Sequence, residues 1–181
     1  MKKVLFPILI MGAGVALNAQ KIEVSASYGI PSVYGVAHDF ASSIVGAITD
    51  TKTPSSNGVA AVGVMIYNKD MKWRYGVDFT SEFYDKTESI SKQNMISILP
   101  RVDYFWLNKG KLGLYSGGSI GMNFMNTTYV DKDKKENKNT DSGLGFNVVP
   151  IGLKYGGALS IFVESNVGMK GILQAGAAYR F

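Results

Sequence analysis

Gln174-Ala175-Gly176-Ala177-Ala178-Tyr179-Arg180-Phe181 ends the chain on an aromatic ring. Together with Leu173, this stretch puts apolar residues at every second position: Leu173, Ala175, Ala177, Tyr179 and Phe181. Gln174, Gly176 and Arg180 fall between them. A period of two is a strand with unlike faces, because successive side chains point to opposite sides of the pleat. One face here is greasy and ends in two aromatics; the other mixes small residues with a charge. That combination invites a search for the same pattern in the rest of the chain.

Seven further stretches show it. Over 21–29, Ile22, Val24, Ala26 and Tyr28 alternate with Glu23, Ser25 and Ser27. Over 58–67, Ala60, Val62, Val64 and Ile66 alternate with Ala61, Gly63 and Met65. The clearest stretch is 71–83, where Trp73, Tyr75, Val77 and Phe79 oppose Lys72, Arg74, Gly76, Asp78, Thr80 and Glu82. Over 95–107, Ile96, Ile98, Val102, Tyr104 and Trp106 oppose Ser97, Arg101 and Asp103. Over 111–124, Leu112, Leu114, Ile120, Met122 and Phe124 oppose Gly113, Tyr115, Gly117, Ser119, Gly121 and Asn123. The stretch 145–155 is the least regular, with Val149, Ile151, Leu153 and Tyr155 against Pro150, Gly152 and Lys154. Over 158–167, Leu159, Ile161 and Val163 oppose Ser160, Glu164 and Asn166. The last stretch, 171–181, is the one quoted above.

The links fit eight antiparallel strands. Asn68-Lys69-Asp70, Asn108-Lys109-Gly110 and Gly156-Gly157 carry residues that tolerate positive φ and suit tight turns. Longer polar links cover 30–57, 84–94 and 125–144, while the remaining link on that side, Gly168-Met169-Lys170, is short. Tight turns at one end and long loops at the other is the asymmetry of a transmembrane barrel, with the turns in the periplasm. Trp73, Tyr75, Tyr104, Trp106, Tyr155, Tyr179 and Phe181 are then expected near the periplasmic interface, and Tyr28, Phe83 and Phe124 near the outer one.

The amino terminus reads as an export signal. Lys2 and Lys3 precede an apolar run from Val4 to Leu17, then Ala19 at the expected cut. That run contains Pro7 and is shorter than the roughly 20 residues a spanning helix needs. Residues 1–19 are therefore expected to be a cleaved signal peptide, and 20–181 a single barrel domain. Losing Lys2 and Lys3 lowers the net charge of +5 to about +3, poor support for a nucleic-acid partner. The chain has no cysteine, so neither a disulfide framework nor a lipidated N-terminal cysteine is expected. With a single histidine besides, no metal or other cofactor is expected.

No segment after residue 19 has 18 consecutive apolar residues. A membrane protein lacking such segments must be a closed barrel, since lipid offers no partner to an unpaired backbone group. A water-soluble up-and-down barrel would put its large apolar side chains inside and its charges outside. Here the charges share their faces with glycine and serine, and the aromatics gather at strand ends, which favours apolar-to-lipid. With all of this, the chain resembles the small outer-membrane β-barrels, such as the OmpA transmembrane domain and OmpX. The resemblance rests on the terminal stretch, the eight alternating strands, the turn and loop asymmetry and the leader. It implies an all-β, eight-stranded antiparallel up-and-down transmembrane barrel in the outer membrane, in contact with its lipids and lipopolysaccharide. It also implies that Gln174, Gly176, Tyr179 and Phe181 form the signal read by the barrel-assembly machinery. A peptidoglycan-binding domain of the OmpA kind is not expected after Phe181, so a cell-wall tether is not implied.

By alternation, Glu23, Asp78, Glu82, Asp103 and Glu164 point inward, opposed by Lys72, Arg74, Arg101, Lys154 and Arg180. Side chains fill a barrel of eight strands, and buried charges must pair. Asp78 and Arg101 each lie five residues beyond a tryptophan on neighbouring strands and are expected to meet at mid-height. Glu23 and Arg180 become neighbours when the first and last strands close. The balanced charges point to a plugged lumen and a structural or surface-interaction role; a small ion-selective channel gated by the same charges is the alternative.

The outer links carry two distinct segments. Over 35–51, Val36, Phe40, Ile44 and Ile48 recur every four residues, the spacing of a short amphipathic helix in the first outer loop. His38 lies there beside Asp39 and near Ser42 and Ser43, which would allow a lipid-modifying enzyme at the rim as a further alternative; a solvated polar face is the simpler expectation. Asn126 to Ser142 contains a dense run of charge from Asp131 to Lys138 and reads as a solvated, mobile loop, open to an unidentified surface partner. Lysines interleaved with Asp131 and Asp133 argue against calcium. No phosphate-binding glycine loop, catalytic triad spacing or nucleic-acid motif occurs.

Overall fold

A computed structural model describes residues 21–33, 35–36, 55–87, 90–130 and 135–181. Eight strands follow in chain order: β1 (Ile22–Gly29), β2 (Ser56–Tyr67), β3 (Trp73–Tyr84), β4 (Ile90–Lys109), β5 (Leu112–Val130), β6 (Glu136–Gly156), β7 (Leu159–Gly168) and β8 (Leu173–Arg180). Each pairs antiparallel with the next, and β1 pairs with β8, so the sheet closes into a barrel without a free edge around its girth. Closure satisfies every backbone group at that level, which is the condition for a sheet to sit in lipid. The expected all-β, eight-stranded, up-and-down architecture is the one observed.

The alternation places apolar side chains outside. Ile96, Ile98, Val102, Tyr104 and Trp106 of β4 are exposed, while Ser97, Leu99, Arg101, Asp103 and Phe105 between them are buried. A ring of exposed aromatics marks the end with the tight turns. Trp73 packs on Tyr104 with ring centroids 4.8 Å apart, and Tyr179 meets Phe181 edge-on at 4.8 Å. Tyr28 and Phe83 are exposed toward the other end, and Phe124, expected with them, is half-buried there. Aromatic rings of this kind suit the depth where lipid gives way to water.

The rim is lopsided. β4, β5 and β6 run for 20, 19 and 21 residues, whereas β1, β7 and β8 have 8, 10 and 8. Strand pairing thus continues through much of the expected links 84–94 and 125–144: β4 begins at Ile90, and β5 stays paired with β6 up to Val130 and Glu136. Backbone pairing needs no apolar face once the strands leave the membrane, so these polar extensions carry no alternation to announce them. The most charged part of that link, residues 131–134, lies outside the described residues.

Bulges shift the faces of the strands they interrupt. Register breaks between Phe105 and Leu107 on β4, Tyr115 and Gly117 on β5, and Val148 and Ile151 on β6. The break at Pro150 turns Val149 inward, where it is buried against Tyr67, Phe105 and Tyr115, instead of outward as strict alternation implies. Lys72 is also not in the lumen. It precedes β3, is exposed, and its N–H donates to Asp70 Oδ1 at 2.9 Å in the turn.

The first outer link enters over the low wall. Ile30 N–H donates to Leu173 O and Ile172 N–H to Pro31 O, both at 3.1 Å. Val36 N–H then reaches Ser32 O at 2.9 Å, one helical turn. The rest of the helix expected over 35–51, with His38 and its serines, lies outside the described residues, as does the leader over 1–19.

Candidate functional site: paired charges across the lumen

Inward positions on β1, β3, β4, β6 and β7 bring charges to the middle of the barrel because strand height and parity agree there. Among the described residues, four carboxylates and four cations form one connected set of ion pairs: Glu23, Asp78, Asp103 and Glu164 with Arg74, Arg101, Lys154 and Lys170. All eight are nearly inaccessible to solvent. Their signs cancel, the condition under which buried charge is tolerated.

Arg101 is the hub. Its Nη1 lies 3.0 Å from Asp78 Oδ2, its Nε 2.8 Å from Asp103 Oδ1, and its Nη2 2.6 Å from Glu164 Oε1. Arg74 sits one layer toward the tight-turn end. It donates from Nε to Asp103 Oδ2 at 2.6 Å and from Nη1 to Glu23 Oε1 at 2.8 Å. Its guanidinium also lies over the Tyr115 ring at 4.4 Å and the Phe105 ring at 5.2 Å. Asp103 therefore bridges the two arginines, and the planar forks give each cation fixed directions rather than a loose charge.

Tyrosines complete the set. Tyr115 Oη donates to Glu164 Oε1 at 2.7 Å, and Tyr67 Oη lies 3.1 Å from both Glu23 Oε2 and Lys154 Nζ. Lys154 Nζ also pairs directly with Glu23. Arg180 faces Glu23 in register, yet Glu23 directs its carboxylate to Arg74 and Lys154. Arg180 instead stacks over the Tyr67 ring at 5.7 Å. Beside these groups, at the tight-turn end, a cavity of about 20 Å³ has room for a single water.

Lys170 joins this set from the short link after β7. Its Nζ lies 2.8 Å from Asp78 Oδ2 and 3.0 Å from Glu164 Oε2. Gly168 (φ 139°) and Gly171 (φ 89°) flank it, so the backbone can turn there as an L side chain rarely permits. Lys170 N–H is held by Asn147 Oδ1 at 3.1 Å, which aims the side chain down into the barrel. Alternation alone assigns Lys170 to the outer link; only those two glycines signalled a bend.

Glu82 stands apart from the central set. Its Oε1 accepts Ser32 N–H at 3.0 Å and Ser56 Oγ–H at 2.6 Å, and its Oε2 accepts Ser32 Oγ–H at 2.7 Å. One carboxylate thus ties both ends of the first outer link. Tyr84, Met95, Leu99 and Met169 form a buried apolar cluster beside this carboxylate, with Met95 in register with Glu82 and Leu99 in register with Asp78.

The four residues expected to form the assembly signal divide by face. Gln174 is fully buried and Gly176 points inward beside Phe162, whereas Tyr179 and Phe181 are exposed on the aromatic ring.

Two solved structures resemble the chain in outline. Neisserial surface protein A shares 14% identity at a TM-score of 0.49, over 90% of this chain and 96% of that one. A major outer membrane protein from Thermus thermophilus shares 14% identity at a TM-score of 0.39, over 91% of this chain and all of that one. No protein-family model and no curated protein matches the chain. Strand number, closure, the apolar exterior and the charged interior make the chain a small eight-stranded, antiparallel, up-and-down β-barrel with its apolar side chains outside and its paired charges within.

Proposed function

We propose that the protein is an integral outer-membrane barrel with a closed lumen, serving a structural or surface-display role. Residues 1–19 would direct export and be removed, and the Gln174–Phe181 stretch would present the chain to the assembly machinery. The filled interior carries this reading. Aromatic rings around Arg74, the paired charges around Arg101, and the apolar cluster of Tyr84, Met95, Leu99 and Met169 together occupy it. An ion crossing the barrel would have to displace these groups, and parting a buried ion pair costs several kcal/mol per uncovered charge. The parts left to face outward are the tall β5–β6 hairpin with the first residues of β4 paired beside it, and the first outer link.

The test is conductance. Mature protein refolded in detergent, checked by a mobility difference between unheated and boiled samples, is added to a planar bilayer. No steady current is expected. Discrete openings that change in Asp78→Ala or Arg101→Ala would overturn the closed-lumen reading and make the charge layer a gate.

A further inference from the structure

The outer wall of β4, β5 and β6 changes character in regular steps. In register across the three strands lie Ile98–Met122–Leu144, then Ile96–Phe124–Ser142, then Asn94–Asn126–Thr140, then Lys92–Thr128–Lys138. Apolar side chains thus give way to amides and a hydroxyl, and then to two cations, with each step rising about 7 Å along the strands. Lys92 and Lys138 are both exposed, and among the described residues neither has an ion-pair partner. Their strands flank β5, so their backbones stand about 10 Å apart and two lysine side chains can converge on one anion.

We propose that this face binds the phosphorylated headgroup of an outer-leaflet glycolipid. Its acyl chains would lie on Ile98, Met122 and Leu144, its sugar hydroxyls against the amide row, and its phosphate between Lys92 and Lys138. Charge complementarity and continuity with the apolar belt both select that occupant. A soluble anion would need no apolar face beneath it, and a neutral lipid would leave the lysines unmatched. Thr140 Oγ1 donates to Asn126 Oδ1 at 2.9 Å, which turns the Asn126 amide nitrogen outward as a donor. Among the described residues, the nearby acids do not cancel the site. Glu136 lies one step farther out, its Oε1 3.5 Å from Ser91 Oγ, and Asp141 falls on the other face of β6, holding Asn139 Nδ2 at 2.9 Å. The inference rests on the outer-membrane placement proposed above, and it names the lipid class and the contact surface.

Native mass spectrometry of the refolded barrel with diphosphorylated lipid A, or with the same lipid dephosphorylated, tests it. One retained diphosphorylated lipid is expected, with the dephosphorylated form lost. Lys92→Gln combined with Lys138→Gln is expected to weaken retention roughly tenfold or more, since a surface lysine near an anionic headgroup contributes about a factor of five. Lys109→Gln combined with Lys111→Gln, at the periplasmic turn, should leave retention unchanged. Equal retention of both lipids, or equal loss in both lysine pairs, overturns the proposal. Protease protection of the same protein in liposomes separates the two failures. A barrel that inserts but ignores the phosphate refutes this site alone, and a barrel that never inserts refutes the membrane placement as well.

Discussion

Arg101 Nη2 lies 2.6 Å from Glu164 Oε1, joining β4 to β7 through the middle of the barrel rather than along its wall. The two strands are not hydrogen-bonded neighbours. Wall pairing sets the distance between adjacent strands and leaves the cross-section free to flatten. A strut between distant strands resists that, and Lys170 adds a second one by holding Glu164 and Asp78 together from the rim.

Replacing Arg101 with Met is expected to destabilise the barrel by about 3–5 kcal/mol, because Asp78, Asp103 and Glu164 each lose a buried partner. Arg101→Met combined with Glu164→Gln should recover part of that loss, since Asp78 keeps Lys170 and Asp103 keeps Arg74. Urea unfolding from phospholipid vesicles, read as a double-mutant cycle, measures the coupling. Additive losses would mean that the strut does not act as a unit.

Tyr115 makes two separable contributions. Its hydroxyl bonds to Glu164 at 2.7 Å, and its ring lies under the Arg74 guanidinium at 4.4 Å. Tyr115→Phe should cost about 1 kcal/mol, because Glu164 keeps Arg101 and Lys170. Tyr115→Leu removes the ring as well and should cost about 2 kcal/mol more. The same vesicle unfolding assay distinguishes them; equal losses would show that the hydroxyl alone matters.

Glu82 ties Ser32 to Ser56, the two ends of the first outer link. Glu82→Ala is expected to speed trypsin cleavage at Lys52, the one trypsin site between those serines, at least several-fold. The mobility difference between unheated and boiled samples should persist, since the strands still pair. Unchanged cleavage with an intact barrel would show that the link is held by other contacts.

The wall of the barrel is legible from alternation, because period two converts directly into facing and facing into height. Asp78 and Arg101 are opposed on that reasoning alone and lie 3.0 Å apart. What alternation does not carry is the direction of a long side chain or of a bend. Glu23 and Arg180 are in register, but the Glu23 carboxylate reaches inward to Arg74 and Lys154. Lys170 enters the lumen through a glycine-flanked turn that has no period to read. The polar ends of β5 and β6 are held by backbone pairing between Val130 and Glu136, which asks nothing of the side chains. For the same reason, neither the tall wall nor the Lys92–Thr128–Lys138 row on it can be seen without the register.

The stepped wall also sets how much a new charge should cost at each depth. Val102 is exposed on β4 between Tyr75 and Gly118, in the apolar zone just above the Trp73–Tyr104 ring. Asn94 is eight residues farther along the same face, level with Asn126 and Thr140. Lysine at Val102 would place an ammonium in hydrocarbon between the interface and the midplane and is expected to cost about 2 kcal/mol, whereas lysine at Asn94 should cost well under about 1 kcal/mol. Both substitutions leave the inward face alone, so a difference between them reports the surroundings of the wall and not the packing of the lumen. Folding into vesicles against urea measures both. If the two variants lose equal stability in lipid, the boundary does not lie at the Ile96–Phe124–Ser142 step, and the depth of the barrel in the membrane has to be drawn elsewhere on the wall.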